Sequence, residues 1–246
     1  MSAFEGAAVF VTGGSRGIGR EIALRFARQG SARIAIGYIR NDDAAEQTAE
    51  ELRGLGAEPV LVRGNVSSPK VAEQVAALGP LRALVHNAAT GVIRPALETE
   101  DKHFDWTMSA NARALLGLAR AAAPGMDAGS SIVAVSSLGA QRVLENYVLV
   151  GASKAALEAI VRYLAVELSP RGVRVNAVSG GVVDTEALDF FPNKEQMLEW
   201  ARTRTPAGRM VSPADMADAV LFLCSPAAEM IRGQTLVVDG GFSLLA

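Results

Sequence analysis

Two side chains that can exchange a proton, Tyr147 and Lys154, lie seven positions apart at the start of the long apolar pattern NYVLVGASKAALEAIVRYLAVEL. A phenol and an ammonium in one site are suited to general acid catalysis. On an ideal helix, the positions seven and four before Lys154 lie about 20° and 40° to either side of it. Tyr147 and Val150 therefore share the face of Lys154, with Tyr147 about 4.5 Å farther along the axis than Val150. Whether the helix is already regular at Tyr147, before Gly151, is open from the sequence.

A glycine-rich loop, VTGGSRGIGR, follows the first apolar run and precedes a helical pattern. Gly13, Gly17 and Gly19 permit a tight turn, close approach of the backbone to a pyrophosphate, and packing of the helix on the strand. The free N–H groups and the dipole of that helix then face an anion. Because a strand comes before the loop and a helix after it, the loop predicts dinucleotide binding.

The end of the second apolar run indicates which dinucleotide is bound. A carboxylate there would bind the ribose 2′-hydroxyl of NAD. Here the run ends GYIRND, with Arg40 at that position, and Arg16 lies inside the glycine loop. Two guanidinium groups suit a 2′-phosphate, so the sequence favours NADPH. The competing acids, Asp42 and Asp43, are assigned to the start of the next helix.

Short β-branched runs alternate with longer helical patterns along the chain, and this alternation predicts βαβ units with a parallel sheet. No linker, composition shift or internal repeat divides the series. We therefore expect a single-domain, Rossmann-like α/β fold over residues 1–246: a doubly wound parallel sheet of about seven strands with helices on both faces. The predicted strands are AAVFVTG, ARIAIGYI, EPVLVRGNV, RALVHNAA, SSIVAVSS, VRVNAVSGG and QTLVVDGG.

The alternation is interrupted at about residues 182–212, VVDTEALDFFPNKEQMLEWARTRTPAGRMVS. A long insertion after the C-terminal end of a strand, with adjacent phenylalanines and a tryptophan, is typical of a lid over a site. A helical excursion on the surface is the alternative. Arg202, Arg204 and Arg209 within it are candidate contacts for an acidic carrier protein, or ordinary solvated charges.

The bulk composition excludes several classes of function. The net charge is −2 and acids and bases are interspersed, so nucleic acid is not an expected partner. The N-terminal residues resemble neither a signal peptide nor a membrane span. The single cysteine, Cys224, has the helical spacing of a core residue, and no histidine or cysteine spacing indicates a metal. We expect a soluble, cytoplasmic protein without a metal or membrane partner.

These motifs together resemble the short-chain dehydrogenase/reductase family along essentially the whole chain. TGGSRGIG is similar to the family's TGxxxGxG loop, and HNAA, beginning at His86, is similar to its NNAG segment. Asn176 and SGGVVDT resemble its NxxxPGxxxT segment, with Gly180 in the place of the proline. The match supports a nicotinamide-dependent oxidoreductase.

The spacing of the proton-exchanging pair departs from most of that family. Most members place the tyrosine four positions before the lysine, where this chain has Val150. The longer spacing of Tyr147 and Lys154 resembles the enoyl-acyl-carrier-protein reductases. Within these, SSLGAQRVLENY, FPNKEQ, TPAGRM and MIRGQTLVVDGG are similar to the third type.

The resemblance implies a set of site residues. It places Ser137 at the family's hydroxyl position and Asn111 at its helix-four asparagine, so the catalytic candidates are Tyr147, Lys154, Ser137 and Asn111. The candidate cofactor-binding residues are Gly13, Ser15, Arg16, Gly17, Ile18, Gly19, Arg40, Asn65, Val66, Asn87, Ala88, Lys154, Gly181, Val183 and Thr185.

Enoyl reduction explains a proton donor set farther from the nicotinamide. An enoyl thioester receives hydride at Cβ, and the charge develops on the distant carbonyl oxygen as an enolate. In this hypothesis Tyr147 hydrogen-bonds or protonates that oxygen, and Lys154 holds the nicotinamide ribose and favours the tyrosinate. Ser137 would support the thioester carbonyl or a water, and Asn111 would hold a relay water, as the resemblance implies. Packing is the alternative for Tyr147, helix capping for Ser137, and a side-chain-to-backbone staple for Asn111.

The leading hypothesis is NADPH-dependent reduction of the C2=C3 double bond of 2-enoyl thioesters, carried by acyl carrier protein or CoA, as in fatty acid biosynthesis. Ketoreductases of this family use a hydroxyl residue and an asparagine at the positions of Ser137 and Asn111. A carbonyl reductase of 3-oxoacyl or polyketide substrates is therefore the alternative. A non-catalytic NADPH-binding regulator is the third. The segment AALEAIVRYLAVEL is apolar on more than one face, which suggests a subunit contact, and the resemblance implies a homotetramer.

Overall fold

A parallel seven-stranded sheet forms the centre of the computed structural model, which describes residues 3–191 and 193–245. The strands are β1 (Ala8–Thr12), β2 (Arg33–Tyr38), β3 (Glu58–Arg63), β4 (Ala83–His86), β5 (Ser131–Ser137), β6 (Arg174–Gly180) and β7 (Thr235–Val238). Their order in the sheet is β3-β2-β1-β4-β5-β6-β7, and each neighbouring pair is parallel. The predicted doubly wound α/β fold is thereby confirmed.

Helices cover both faces of this sheet, which is why the central strands are apolar almost throughout. One buried cluster packs Ile22 of α1 and Val220 of α8 on one face. The other packs Leu118 of α5 and Leu157 of α6 on the opposite face. The helices are α1 (Gly17–Arg28), α2 (Asp42–Gly54), α3 (Pro69–Ala77), α4 (Asp101–Met108), α5 (Ala114–Ala122), α6 (Val148–Leu168), α7 (Lys194–Arg204) and α8 (Pro213–Cys224).

The strand order reverses between β1 and β4, and this reversal creates a crevice at their C-terminal ends. Thr12, which ends β1, is in register with His86, which ends β4. The side-chain amide of Asn87 then crosses the gap and donates to the carbonyl oxygens of Thr12 and Gly13 at 3.0 and 3.2 Å. The crevice predicted to hold a dinucleotide is thus closed at its base by hydrogen bonds.

Two helix boundaries differ from the pattern in the sequence. The pattern DWTMSANARALLGLARAAA predicts one helix, but a π-turn at Ser109–Arg113 separates α4 from α5. Such turns insert a residue into a helix and often occur at functional sites. In addition, α6 begins at Val148, so Tyr147 lies at its N-terminal cap and not within its regular turns.

The insertion at 182–212 is helical in large part, and residue 192 within it lies outside the described residues. A 3₁₀ turn covers Glu186–Phe190, and α7 follows it. Val183 and Val211 form a parallel bridge, so both ends of the insertion meet beside the sheet. Within the described ranges, no helix is both long and apolar enough to cross a membrane.

Candidate active site

The C-terminal end of β5 gathers the side chains predicted to move a proton. The hydroxyl of Tyr147 donates to Oγ of Ser137, the last residue of β5, over 3.4 Å. Two residues earlier, the carbonyl oxygen of Val135 accepts a 2.7 Å hydrogen bond from Nζ of Lys154. Tyr147, Ser137 and Lys154 therefore meet at one strand end, although no hydrogen bond joins Lys154 to Tyr147 in the part of the chain described.

Tyr147 is positioned by the loop before α6. Its own backbone angles, φ −106° and ψ 10°, are not helical, and Asn146 before it takes a positive φ of 59°. The ring lies against Gly139, where a Cβ would come within 2.5 Å of it, and its centroid is 5.7 Å from that of Phe191. Burial raises the pKa of Tyr147, and the hydrogen bond with Ser137 acts in the opposite direction. The resting form is thus a neutral phenol that can donate a proton.

Lys154 is buried beneath the strand end, with 4% of its surface exposed. Burial lowers its pKa to about 8, and the charge of Glu158, one turn later on α6, opposes that shift. Near neutral pH the ammonium therefore keeps most of its charge and can favour a tyrosinate nearby. Its predicted contact with a coenzyme ribose stays a prediction.

Asn111 lies in the π-turn and joins three segments. Its Oδ1 accepts from the backbone N–H of Thr90 at 2.8 Å, and its Nδ2 donates to the carbonyl oxygen of Thr90 at 2.8 Å and to Oγ of Ser153 at 2.9 Å. Both amide N–H groups are occupied, so these contacts are those of a side-chain-to-backbone staple. A role in a water relay stays a prediction, and it would use the backbone of Asn111.

His86 is a buried histidine that links the sheet to this π-turn. Its Nε2 lies 3.1 Å from the carbonyl oxygen of Asn111, and its Nδ1 lies 3.3 Å from Oγ1 of Thr12. Since that Oγ1 also accepts the next two backbone N–H groups after His86, its own proton is directed at Nδ1, and Nε2 carries the imidazole hydrogen. Burial and the charge of Lys154 lower the pKa of His86 to about 4, so the ring is neutral.

The glycine loop between β1 and α1 has the shape of an anion cradle. Gly13 has a φ of 64°, and a Cβ there would come within 2.9 Å of Nδ2 of Asn87. A Cβ at Gly19 would overlap the carbonyl oxygen of Gly13. Arg16 precedes α1 without a side-chain cap, so the first N–H groups of the helix face the loop. These residues fit a pyrophosphate.

Other predicted residues of this loop pack around the cradle. Ser15 is buried, and its carbonyl oxygen accepts from the hydroxyl of Thr48 at 3.1 Å. Ile18 packs partly buried against the core on the α1 face. A Cβ at Gly17 would lie 3.5 Å from a methyl group of Thr185, so the start of the insertion lies beside the glycine loop. The structure brings these residues together as the sequence predicts.

The remaining predicted cofactor residues follow β3 and β6. Asn65 is exposed, and its Oδ1 accepts from the backbone and the hydroxyl of Ser67, while Val66 is half-buried. A Cβ at Gly181 would meet Asp239 at 3.1 Å, so this glycine permits close packing on the segment after β7. Ala88 follows Asn87 and donates its N–H to the hydroxyl of Thr12. Their contacts with a nucleotide stay predictions.

The end of β2 supports the assignment of the acids there to α2. Asn41 caps α2 by accepting from the backbone N–H of Ala44 at 3.0 Å. Asp42 accepts from the hydroxyl of Tyr38 at 3.0 Å and pairs with Arg63 at 3.3 Å. These partners leave Arg40 as the basic group at the mouth of a cavity of about 360 Å³ lined by residues 40–43.

Arg16, the second predicted ligand of a 2′-phosphate, forms an ion pair with Glu186 at the start of the insertion. Both side chains are more than half exposed, so this pair stabilises the structure by at most about 1 kcal/mol. A phosphate at this position could therefore replace Glu186 as the partner of Arg16.

A second cleft opens beside the loop that holds Tyr147. It has a volume of about 160 Å³ and is lined by Leu138, Arg142, Leu144, Arg204, Phe242, Ser243 and Leu245. Leu138 directly follows Ser137, and a methyl group of Leu144 lies near Gly139, so the cleft begins next to the proton-exchanging groups. Apolar walls with two guanidinium groups suit an acyl chain attached to an anionic carrier.

The three arginines predicted to meet a carrier protein differ in their surroundings. Arg209 makes two hydrogen bonds of 2.6 and 2.7 Å to the carboxylate of Asp215. Arg204 lies 5.5 Å from the ring of Trp200, and Arg202 is exposed on α7. Arg209 is therefore engaged within the chain, and docking of a carrier stays a prediction.

Cys224 is buried, which is the packing role expected for it, and burial raises the pKa of its thiol to about 12. Residues 3–191 and 193–245 contain no group of three or more acidic, histidine or cysteine side chains that could hold a metal ion.

Three buried polar residues of the site are not identified by reasoning from the sequence: Thr12, His86 and Glu158. Glu158 accepts from Oγ of Ser136 at 2.6 Å and from Nε2 of Gln141 at 3.2 Å. Each of the three is a polar residue inside an apolar run, and this is the signal that could have found them.

Comparison with known proteins gives matches along nearly the whole chain. A family model described as "Enoyl-(Acyl carrier protein) reductase" matches residues 13–243. The 1-cyclohexenylcarbonyl-CoA reductase of Streptomyces collinus is 39% identical over an alignment of 246 positions, which covers 96% of this chain and 86% of that protein. The 7alpha-hydroxysteroid dehydrogenase of Escherichia coli K12 is 34% identical over an alignment of 247 positions, which covers 96% of this chain and 94% of that protein.

Solved structures are also similar to this chain in fold along nearly its whole length. A short chain dehydrogenase from Burkholderia cenocepacia J2315 in complex with NADP has a TM-score of 0.89 to this chain at 30% sequence identity. The match covers 98% of this chain and 99% of that one. Sequence and fold similarity thus extend together from the glycine loop to the last strand.

Proposed function

Because this chain belongs to the short-chain dehydrogenase/reductase family, and is an oxidoreductase, we propose that it uses NADPH to reduce the C2=C3 double bond of 2-enoyl thioesters. The observation that carries this proposal is the position of Tyr147. It lies seven residues before Lys154, at the cap of α6, and its hydroxyl faces Ser137. The place four before the lysine holds the buried Val150, which has no proton to donate.

The choice of NADPH is supported by charge at the adenosine end of the crevice. Arg40 faces the cavity after β2, and Arg16 lies at the start of α1 beside the glycine loop. The acid closest to Arg40 in sequence, Asp42, has its own partners in Tyr38 and Arg63. The solved relative from Burkholderia cenocepacia is a complex with NADP.

In the proposed reaction the chain supplies proton transfer and charge stabilisation, and NADPH when bound supplies the hydride. The hydroxyl of Tyr147 turns from Ser137 to the thioester oxygen, where the enolate charge develops. Ser137 accepts from the N–H of Gly139 at 3.2 Å, so its own proton is available as a second donor. The buried ammonium of Lys154 stabilises the tyrosinate that remains. The enol then takes a proton from water at Cα and returns its hydroxyl proton to Tyr147, which gives the saturated thioester. A preorganised donor of this kind lowers the activation free energy by about 3 kcal/mol.

The substrate is proposed to enter through the cleft beside the Tyr147 loop. Leu138 and Leu144 offer an apolar wall for the acyl chain, and Arg142 and Arg204 offer positive charge for an anionic CoA or carrier protein. The relative from Streptomyces collinus is named for a CoA thioester. Phe191, packed on the ring of Tyr147, makes the insertion at 182–212 the proposed lid over this cleft.

Reduction of a carbonyl group, as in 3-oxoacyl or polyketide substrates, is the second candidate. The contact between Tyr147 and Ser137 favours it, since two hydroxyls 3.4 Å apart can bind one ketone oxygen together. The relative from Escherichia coli is named as a hydroxysteroid dehydrogenase. We place this activity second because Tyr147 stands seven and not four positions before Lys154 in the sequence, the spacing that resembles the enoyl reductases.

The proposal extends to the setting of the enzyme. We propose a cytoplasmic homotetramer that acts in fatty acid biosynthesis or a related thioester pathway. Tyr163 and Val166 on α6 are 80% and 77% exposed, an apolar surface that a second subunit would cover.

One assay separates the candidates. Purified protein and NADPH are given crotonyl-CoA and acetoacetyl-CoA in parallel, and coenzyme oxidation is followed by absorbance. Oxidation with crotonyl-CoA alone supports enoyl reduction, and oxidation with acetoacetyl-CoA alone supports the second candidate. Tight NADPH binding without oxidation of either would refute both and favour a regulator. Tyr147→Phe should lower kcat by roughly 10²–10³-fold, whereas Tyr163→Phe on the exposed face of α6 should not.

A further inference from the structure

Glu158 is a buried carboxylate in the middle of an apolar helix face, with 5% of its surface exposed. Such a group is costly to bury unless it is hydrogen-bonded or paired with a charge. Its Oε1 accepts a 2.6 Å hydrogen bond from Ser136, and its Oε2 accepts a 3.2 Å hydrogen bond from Gln141. Both oxygens are therefore held by residues that flank the end of β5.

These contacts form a ladder between β5 and α6. Three consecutive residues of the strand each meet one residue of the helix region. Val135 binds Lys154 through its carbonyl oxygen, Ser136 binds Glu158, and Ser137 meets Tyr147. Lys154 and Glu158 are one helical turn apart, on the same face of α6. The carboxylate of Glu158 is thereby held between α6 and β5, as the buried ammonium of Lys154 is.

We propose that Glu158 is a positioning residue for Lys154: its fixed negative charge keeps the buried ammonium protonated, and its bond to Gln141 holds the segment after Ser137 in place. The proposal relies on Lys154 acting as the charged residue of the site, and it holds for enoyl and for carbonyl substrates alike. Glu158 is buried and both its oxygens are bound by Ser136 and Gln141, so its effect on the reaction passes through Lys154.

Two other titratable groups lie around Lys154 on the elements that pack against it. His86, at the end of β4, is neutral, because the charge of Lys154 and burial together lower its pKa to about 4. Tyr147, at the cap of α6, is neutral as well, since burial raises its pKa. The carboxylate of Glu158 is therefore the negative charge that opposes the effect of burial on Lys154, whose pKa is about 8.

The test measures the protonation of Lys154 directly, without coenzyme or substrate. The chain has four lysines, Lys70, Lys102, Lys154 and Lys194, so protein labelled with ¹³Cε-lysine gives few signals, and a Lys154→Met variant assigns the one of interest. The midpoint of its titration should be near 8 in the native protein. In Glu158→Gln we expect it about one pH unit or more lower, because a neighbouring opposite charge typically shifts a buried group by that amount.

Two variants separate charge from structure. Glu167→Gln makes the same change at an exposed position of α6 and should leave the Lys154 midpoint in place. Ser136→Ala removes the hydrogen bond to Glu158 but keeps the carboxylate, so it should lower Tm without moving the midpoint. If Glu158→Gln does not fold, Glu158→Met, which also removes the charge at a similar side-chain volume, replaces it, and the same fall of the midpoint is expected.

Binding of NADPH gives an independent readout. Between pH 6 and pH 8, the Kd of Glu158→Gln should rise about fivefold more than that of the native protein, since less of Lys154 stays charged. An unchanged Lys154 midpoint in Glu158→Gln, or in Glu158→Met if that variant is used, would overturn the proposal. So would a midpoint that moves as far in Ser136→Ala as in Glu158→Gln. None of these results depends on which thioester the enzyme reduces.

Discussion

Gly139 determines where the ring of Tyr147 can lie, and a single added methyl group tests this. A Cβ at Gly139 would come 2.5 Å from Cε1 and 2.6 Å from Cδ1 of the Tyr147 ring, and 3.5 Å from a methyl group of Leu144. Contacts below about 3 Å are not tolerated, so in Gly139→Ala the ring must move. The ring is also packed against Phe191, with 5.7 Å between the ring centroids, and this contact restricts the movement.

The expected size of the effect follows from this geometry. Relief of a contact at 2.5 Å requires a shift of roughly 1 Å, and a displacement of that size in a catalytic group can lower the rate by about 10²-fold. The tyrosine hydroxyl would also lose its 3.4 Å contact with Ser137. Overpacking at such a site typically lowers the free energy of unfolding by about 1–3 kcal/mol. We therefore expect kcat to fall while the Kd of NADPH stays within twofold, since the glycine loop is untouched.

The assay compares Gly139→Ala with a glycine that has room for a methyl group. Gly54, the last residue of α2, has no atom within 4 Å of its Cβ position, so Gly54→Ala should keep full activity and gain about 0.5–1 kcal/mol of stability. Steady-state kcat, NADPH binding and urea unfolding are measured for both variants. A native kcat in Gly139→Ala would refute the idea that this contact positions Tyr147. A loss of NADPH binding would show a wider rearrangement instead.

Two further predictions concern the coenzyme end and the base of the crevice. Arg40→Ala should lower kcat/KM for NADPH by roughly 10- to 100-fold and leave kcat/KM for NADH within twofold, because a hydrogen bond to a charged group contributes about 1.5–3 kcal/mol. The control is Arg53→Ala at the other end of α2. An unchanged ratio of kcat/KM for NADPH to that for NADH in Arg40→Ala would contradict the assignment. The pKa of the buried His86 is lowered from 6.5 to about 4, so the neutral imidazole stabilises the fold above pH 6.5. This contribution to the free energy of unfolding is at most about 3 kcal/mol, and it is lost as the pH falls from 6.5 to 4. In urea unfolding at pH 7, 5.5 and 4.5, His86→Gln should therefore lose less stability on acidification than the native protein, and parallel pH profiles would contradict this.

The sequence predicts the fold correctly because its signals are local. The β-branched runs that become β1 to β7 and the glycine loop after β1 carry their own conformational preferences, and their alternation with helices permits few topologies. The predicted positions of Ser137 at a strand end and of Asp42 and Asp43 at the start of a helix depend on a few neighbouring residues, and the structure confirms both. The helical angle argument for Tyr147 is less successful, because the chain leaves the helix at the residue it concerns.

The sequence by itself determined the class of fold and the glycine loop, and it singled out Tyr147 and Lys154 as the pair for the proposed proton transfer, since each is encoded in a short segment. Only the tertiary structure decided what surrounds that pair. Asn111 binds Thr90, 21 positions away, His86 binds Thr12 across 74 positions, and Glu158 binds Ser136 across 22. These partners are chosen by burial, because a polar group enclosed between sheet and helix must find whichever donor or acceptor the packing brings to it. The spacing of residues in the sequence therefore does not predict these hydrogen-bond partners.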